Sequence, residues 1–226
     1  MAAAPCGRTG LDRARADPRV EPWDVRVGAR ALVWFARLIS GARVRWVAPL
    51  SDSRQRIYFA NHTSHLDAIV VWSALPPAQR CVTRPVAARD YWDANHVRRY
   101  LAQRLFHAVL IDRSSEHCQS DPVDDMLDAL GARHSLILFP EGTRGPGETI
   151  APFRLGLYQL AKARPDVELL PVHLTNLSRI LPKGSVVPTP LLSRVTFGAP
   201  VRLEAIETPD TFLERARRAV VALADA

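Results

Sequence analysis

The chain has 226 residues, enough for one sizeable hydrophobic core and too few for two domains to be the default expectation. Hydrophobic residues make up 47% and charged residues 23%, a composition that argues against disorder over most of the length. The formal net charge of +7 comes almost entirely from arginine. It suits an anionic partner, but it does not distinguish a lipid headgroup from a phosphorylated cofactor or a nucleic acid.

Cysteine usage and hydropathy indicate a reducing compartment and peripheral membrane contact. The three cysteines are widely spaced and contain no C-x-x-C pair, so neither a disulfide framework nor a zinc ribbon is supported. Residues 1–26 predict a flexible tail, because no apolar h-region follows their charges as it would in a secretory signal. No uninterrupted apolar run reaches about 18 residues, the usual length of a membrane-spanning helix. We therefore expect a protein on the cytoplasmic side of a membrane.

The first predicted element lies in residues 27–47 and is a helix that ends at Gly41. It combines Trp34 and other large apolar side chains with arginines, which is typical of an amphipathic helix in a membrane interface. Packing on the protein's own core explains the same pattern equally well.

Strands and helices then alternate along the chain. A β-rich run, "IYFA", precedes the polar stretch "NHTSHLD" and an apolar helix; "SLILFP" and "VELLPVHLTN" predict further strands, separated by helical patterns. This alternation predicts one α/β domain over residues 27–226, with a mixed, largely parallel sheet flanked by helices. In such sheets the loops after the strands meet in one crevice, so the two polar loops should be neighbours.

The first polar loop, residues 61–67, contains a candidate general base. A carboxylate at Asp67, one turn into a helix, can orient the imidazole of His62, while Asn61 and Ser64 can hold the turn by hydrogen bonds to the backbone. In the structural alternative, Ser64 or Thr63 only caps the helix.

A second alternative treats the same loop as a metal site. His62, His65 and Asp67 would then be ligands in a metal-dependent hydrolase. A further ligand is not evident from spacing, although His107, His134 or His173 could contribute.

The second polar loop, "FPEGTRG" at residues 139–145, predicts a phosphate site. Gly142 and Thr143 expose backbone N–H groups, and the guanidinium of Arg144 can bind phosphate through two hydrogen bonds. The loop is not a nucleotide-binding P-loop, because G-x-x-x-x-G-K-[ST] is absent. In the structural alternative it is an ordinary turn, with Glu141 and Arg144 as a surface pair.

Taken in order, "NHTSHLD", "FPEGTRG", "APFRLG" and "LLPVHL" resemble the four sequence blocks of the glycerolipid acyltransferases, which include the lysophosphatidic acid acyltransferases. The N-H-x-S-x-x-D and F-P-E-G-T-R blocks are both complete. The resemblance covers roughly residue 32 to the C-terminus.

The resemblance implies transfer of a fatty acyl group from acyl-CoA or acyl carrier protein to a lysophospholipid, most simply 1-acyl-glycerol-3-phosphate, giving phosphatidic acid. It implies that His62 is the base, that Asp67 orients it, and that no covalent intermediate, metal or cofactor is needed. The implied acceptor-phosphate site consists of Glu141, Gly142, Thr143, Arg144 and Arg154. Pro171 marks the fourth block, which is associated with the acyl donor.

Three departures from the family pattern affect these expectations. Family members often have an N-terminal transmembrane helix, whereas the corresponding segment here is interrupted by arginines. We therefore expect the protein to bind the membrane surface through an interfacial helix and a basic surface. His65 stands at a variable position, and Gly145 stands where serine is common, which leaves other glycerolipid acceptors open. Nucleic acid is not expected as a partner, because the basic residues lack interleaved aromatic residues.

Overall fold

A computed structural model of the protein describes residues 23–49, 54–64, 66–112, 121–145, 149–177 and 193–225. Its helices are α1 (Trp23–Ser40), α2 (Asp67–Ala74), α3 (Pro77–Arg80), α4 (Arg89–Trp92), α5 (His96–Tyr100), α6 (Pro122–Leu130), α7 (Gly156–Ala163) and α8 (Pro209–Val221). Its strands are β1 (Arg43–Trp46), β2 (Arg56–Ala60), β3 (Thr83–Ala88), β4 (Val109–Ile111), β5 (Ser135–Leu138), β6 (Glu168–Thr175) and β7 (Arg194–Phe197). A π-helical segment, Leu101–Leu105, follows α5 directly.

The described strands form one seven-stranded sheet in the order β1-β7-β6-β2-β5-β3-β4. The neighbouring pairs β6–β2, β2–β5, β5–β3 and β3–β4 are parallel, and so is the pair β1–β7. The pair β7–β6 is antiparallel. The predicted mixed, largely parallel sheet is therefore confirmed. Helices cover both of its faces, as the alternating pattern requires.

The central strand β2 carries core side chains on both faces because successive residues of a strand point to opposite sides. Ile57 and Phe59 pack in the cluster that contains buried residues of α6, α7 and α8. Tyr58 and Ala60 pack in the cluster that contains buried residues of α1 and α2. All four side chains are almost completely buried, so β2 is held firmly in the middle of the sheet.

Helix α1 confirms the predicted helical segment and begins at Trp23, four residues before the boundary predicted at residue 27. Asp24 in its first turn favours this start, because an acidic side chain interacts well with the helix N-terminus. Of the tail predicted over residues 1–26, residues 23–26 belong to α1, and residues 1–22 lie outside the described residues. Among the residues that are described, no helix is both long and apolar enough to cross a bilayer.

The register of the sheet decides where the polar loops lie. Phe59 of β2 is level with Leu138 of β5 and with Pro171 of β6. Because these three strands are parallel, β2 and β5 end at the same edge of the sheet. Each of the two strands ends within two residues of the level of Phe59. The loops that follow β2 and β5 are consequently adjacent.

Candidate active site

The first loop is organised around one oxygen of Asp67. Its Oδ2 lies 2.9 Å from His62 Nδ1 and accepts hydrogen bonds from the backbone N–H groups of Thr63 (2.6 Å) and Ser64 (2.8 Å). The carboxylate is fully buried; the three donors converge on Oδ2, while Oδ1 has no hydrogen-bond partner among the described residues. An ionised carboxylate only accepts hydrogen bonds, so Nδ1 is the donor in this contact, and in a neutral imidazole Nε2 would then be the acceptor.

Ser64 contributes to the start of the helix, but the interpretation in which this stretch is only a cap does not account for the contact between His62 and Asp67. Helix α2 begins at Asp67, and Leu66, at the cap position, offers no side-chain hydrogen bond. Instead, the Asp67 carboxylate turns back and binds the amides that precede it. Ser64 holds the turn, as predicted, because its Oγ accepts a hydrogen bond from Leu66 N–H at 3.3 Å.

Asn61 binds a neighbouring strand rather than its own turn. Its Nδ2 donates to the carbonyl of Leu174 at 3.0 Å, and its Oδ1 accepts from Leu174 N–H at 2.8 Å. The side chain is buried, so these two bonds satisfy groups that have lost contact with water. Asn61 therefore ties the end of β2 to the end of β6, immediately before His62.

Glu141 joins the two polar loops. Its Oε1 accepts from the backbone N–H of His62 at 2.7 Å and its Oε2 from that of Ala151 at 2.9 Å. In the reverse direction, Gly145 N–H donates to the carbonyl of His62 at 2.9 Å. These bonds confirm that the two loops are neighbours, and they hold the His62 backbone on both its N–H and its C=O sides.

An aromatic contact that sequence reasoning missed completes the setting of the imidazole. The ring of Phe139 stacks on that of His62, with centroids 4.4 Å apart and planes 26° from parallel. The His62 side chain remains 19% exposed, so the imidazole is not closed off from solvent. Phe139 ends a buried strand pattern, and nothing in the local sequence indicates that its ring meets a histidine from another loop.

Gly142 is required by both backbone conformation and packing. Its φ of +73° lies in the left-handed region that glycine adopts readily. A Cβ atom at this position would lie 2.4 Å from Arg154 Nε, well inside contact distance. Arg154 is held there by its own N–H, which donates to Pro140 O at 2.8 Å, and by its Nε, which donates to Glu141 O at 3.3 Å.

The cationic side chains lie at the outer side of this arrangement. Thr143, Arg144 and Arg154 are exposed, whereas Glu141 is buried. The structure thus brings Arg154 against the 139–145 loop, which its position in the sequence only suggested. The loop and its arginines can therefore offer hydrogen-bond donors and positive charge to an anion beside the His62 ring.

Pro171 lies in the buried strand β6, level with Phe59. Its carbonyl accepts a hydrogen bond from Gly198 N–H at 2.9 Å, which links β6 to the segment after β7. This position makes Pro171 part of the scaffold beneath the two loops, and its association with an acyl donor stays a prediction.

The metal alternative depended partly on His65, which lies outside the described residues. Over the described ranges, no group of three or more His, Cys, Asp and Glu side chains is arranged to hold a metal ion. Of the histidines considered as further ligands, His134 has a pKa lowered to about 4, mainly by burial and then by nearby Arg84. Burial also lowers the pKa of His173.

Comparison with known proteins identifies the family. The family model described as Acyltransferase matches residues 42–175, which is more than half of the chain and includes both polar loops. The chain belongs to the Acyltransferase family.

Individual members of this family are distant from the chain in sequence. A 1-acyl-sn-glycerol-3-phosphate acyltransferase of Cocos nucifera is 24% identical over 79% of this chain and 54% of its own length. The alpha form from Mus musculus is 27% identical over 65% of this chain and 50% of its own length. The chain therefore spans about half the length of these curated relatives.

A solved structure supports the fold. The crystal structure of the 1-acyl-sn-glycerophosphate (LPA) acyltransferase PlsC from Thermotoga maritima matches with a TM-score of 0.67 and 18% sequence identity. The match covers 89% of this chain and 80% of that one. At this identity the likeness establishes a shared α/β fold.

The buried Glu141 carboxylate leads to a prediction about stability. In Glu141→Gln, one oxygen is replaced by an NH₂ group that faces a backbone N–H, so a buried donor loses its acceptor. We expect the free energy of unfolding, measured by urea denaturation, to fall by about 1–3 kcal/mol. Amide hydrogen exchange should accelerate at His62 and Ala151.

The matched control is Glu214→Gln on α8, where the carboxylate is partly exposed and binds the side chains of Arg217 and Arg218. It should change stability much less and leave exchange at His62 unaltered. Unchanged exchange at His62 in Glu141→Gln would show that the carboxylate does not hold this loop.

Proposed function

We propose that this chain is an O-acyltransferase that moves a fatty acyl group from a thioester donor to the hydroxyl of a lysophospholipid. The observation that carries the proposal is the His62–Asp67 pair, with Nδ1 bound by the carboxylate and the imidazole partly exposed. Two relatives carry the name 1-acyl-sn-glycerol-3-phosphate acyltransferase, which supports 1-acyl-glycerol-3-phosphate as acceptor and phosphatidic acid as product.

In the proposed reaction, the acceptor hydroxyl oxygen attacks the thioester carbonyl carbon while His62 Nε2 takes the hydroxyl proton. The carbonyl carbon gains the ester C–O bond and loses its C–S bond. The proton then passes from the imidazolium to the departing thiolate, so ester and free thiol are formed without a covalent enzyme intermediate. Asp67 keeps the ring in the correct orientation and balances the positive charge that develops on it.

The proposed donor is acyl-CoA or acyl carrier protein, and no metal or cofactor takes part in these steps. The proposed acceptor-phosphate site is the 139–145 loop with Arg154. Arg144 and Arg154 supply positive charge, and Gly142 and Thr143 supply the loop backbone. Glu141 has a different role in this proposal, because its carboxylate is occupied by two backbone amides. It positions the loop against His62 rather than touching the phosphate.

The first test of function replaces the base. We expect His62→Ala to lower kcat with palmitoyl-CoA and 1-acyl-glycerol-3-phosphate by about 100-fold or more, since general bases contribute at least that much. Thiol release that depends on the acceptor is the measurement. Asp67→Asn should also lower kcat, because the negative charge that stabilises the imidazolium is lost. Its amide oxygen can still accept the hydrogen bonds that Oδ2 accepts, so the turn should persist.

His96→Ala, which removes an exposed histidine from α5, is the control and should retain full activity. Acyl transfer at the wild-type rate in a folded His62→Ala protein would remove His62 from the mechanism.

A second test concerns the acceptor phosphate. Loss of one charge-assisted hydrogen bond costs about 1.5–3 kcal/mol, so Arg144→Ala should lower kcat/KM for the phosphorylated acceptor by roughly 10- to 100-fold. The KM for the acyl donor should hardly change, and the preference for 1-acyl-glycerol-3-phosphate over monoacylglycerol should shrink. Arg218→Gln, an exposed arginine on α8, provides the charge-matched control. Equal losses with both acceptors would contradict a phosphate role.

The proposed location is a membrane surface, reached through α1. One row of exposed apolar side chains runs along α1 at helical spacing and consists of Trp23, Val27 and Trp34. A second exposed row, three residues later at each step, consists of Arg26, Arg30 and Arg37. Buried side chains such as Val25 and Val33 face the protein instead. An apolar row beside an arginine row suits the interface of an anionic bilayer.

Vesicle binding tests this location. Trp34→Ser should weaken co-sedimentation with vesicles of phosphatidylcholine and phosphatidylglycerol by about tenfold, because a large aromatic side chain no longer enters the interface. Omitting phosphatidylglycerol should weaken the wild type as well. The control is Ile206→Ser, which removes an even more exposed apolar side chain from the loop before α8. If both substitutions act alike, α1 is not the contact.

A further inference from the structure

A cleft of about 250 Å³ opens far from the two polar loops, between α7 and the segment that precedes α8. Its walls include Leu169 at the start of β6 and Val201, which are joined by a backbone hydrogen bond of 2.8 Å. Leu174, whose backbone is hydrogen-bonded to the Asn61 side chain at the active site, lies five residues further along β6. At the rise of an extended strand, this places the cleft roughly 16 Å from that end of the sheet.

The inner surface of the cleft is apolar and rigid. Ala161, Val167 and Leu169 line it and are almost completely buried, so their positions are fixed by the core behind them. Tyr158 and Leu203 extend this apolar wall towards the mouth. The volume is slightly below the range usual for drug-sized ligands, so a smaller apolar group fits.

The rim of the cleft has a surplus of one positive charge. Glu207 accepts two hydrogen bonds from Arg215, at 2.6 and 2.8 Å, so these two charges cancel. Lys162 and Arg202 also line the cleft, and among the described residues neither side chain makes an ion pair or hydrogen bond. Glu204 is the acidic residue that remains against these two cations.

We propose that this cleft is a second binding site, for a small amphipathic anion: an alkyl carboxylate or an alkyl phosphate. The alkyl group would lie against the buried wall of Val167 and Leu169, where it loses contact with water. The anionic head would meet Lys162 and Arg202 at the rim. This site is separate from the proposed acyl-transfer chemistry, and its occupation does not depend on that function.

The test is titration of the ¹⁵N-labelled full chain by NMR with octanoate, octyl phosphate and neutral octanol, each below its micellar concentration. We expect one or both anions to shift amide signals of residues 158–169 and 201–207 and to bind more tightly than octanol. Comparison of the two anions shows whether a carboxylate or a phosphate is preferred. Equal binding of octanol, or shifts confined to the loops around His62 and Glu141, would overturn the proposal.

Charge variants separate this site from general alkyl binding. Lys162→Gln and Arg202→Gln should each weaken binding of the preferred anion by about two- to fivefold, in the range of single exposed ion pairs. Both positions are exposed, so the fold should persist. Arg43→Gln removes one exposed charge from the edge strand β1, level with the Thr175 end of β6 and away from Leu169, and should have no effect. If all three substitutions weaken binding equally, or if none of them changes it, the proposal of a cationic rim is contradicted.

Discussion

The candidate active site depends on the burial of one negatively charged oxygen. Asp67 Oδ2 has no access to water and is stabilised by three donors, two backbone amides and the ring of His62. Burying a carboxylate without donors is costly, so a turn that brings the Thr63 and Ser64 amides and the His62 ring to Asp67 Oδ2 is favoured. The orientation of the imidazole follows from this turn, because the ring is one of the three donors.

A second buried carboxylate connects this turn to the rest of the site. Asp67 binds amides of its own loop, whereas Glu141 binds amides of His62 and Ala151, which lie 79 and 10 residues away in sequence. The parallel arrangement of β2 and β5 makes this contact possible, since both loops leave the sheet at the same edge. The acids are thus interior and hold the backbone, while the arginines are exterior and can meet a ligand. This division suits the proposed reaction, which needs a fixed base and room for a large lipid.

Much of this arrangement is visible in the pattern of residues. Alternating apolar strands and helices predict the layered α/β fold, and polar loops after two strands predict one shared crevice. The His62–Asp67 pair also follows, because five residues across a strand-to-helix turn bring these groups within reach. Asn61 shows the limit of such reasoning: its amide can bond to many backbone groups, and local sequence does not reveal that Leu174 is the partner.

The sequence by itself determined the order of elements, the parallel character of the sheet and the residue types available at its edge. These properties depend on periodicity and on short spacings, which act over a few neighbouring residues. Only the tertiary structure decided that Phe139 stacks on His62, that Glu141 is interior and that Arg154 packs over Gly142. Each of these contacts joins segments distant in the chain or depends on a backbone angle, and both are set by how the whole core packs.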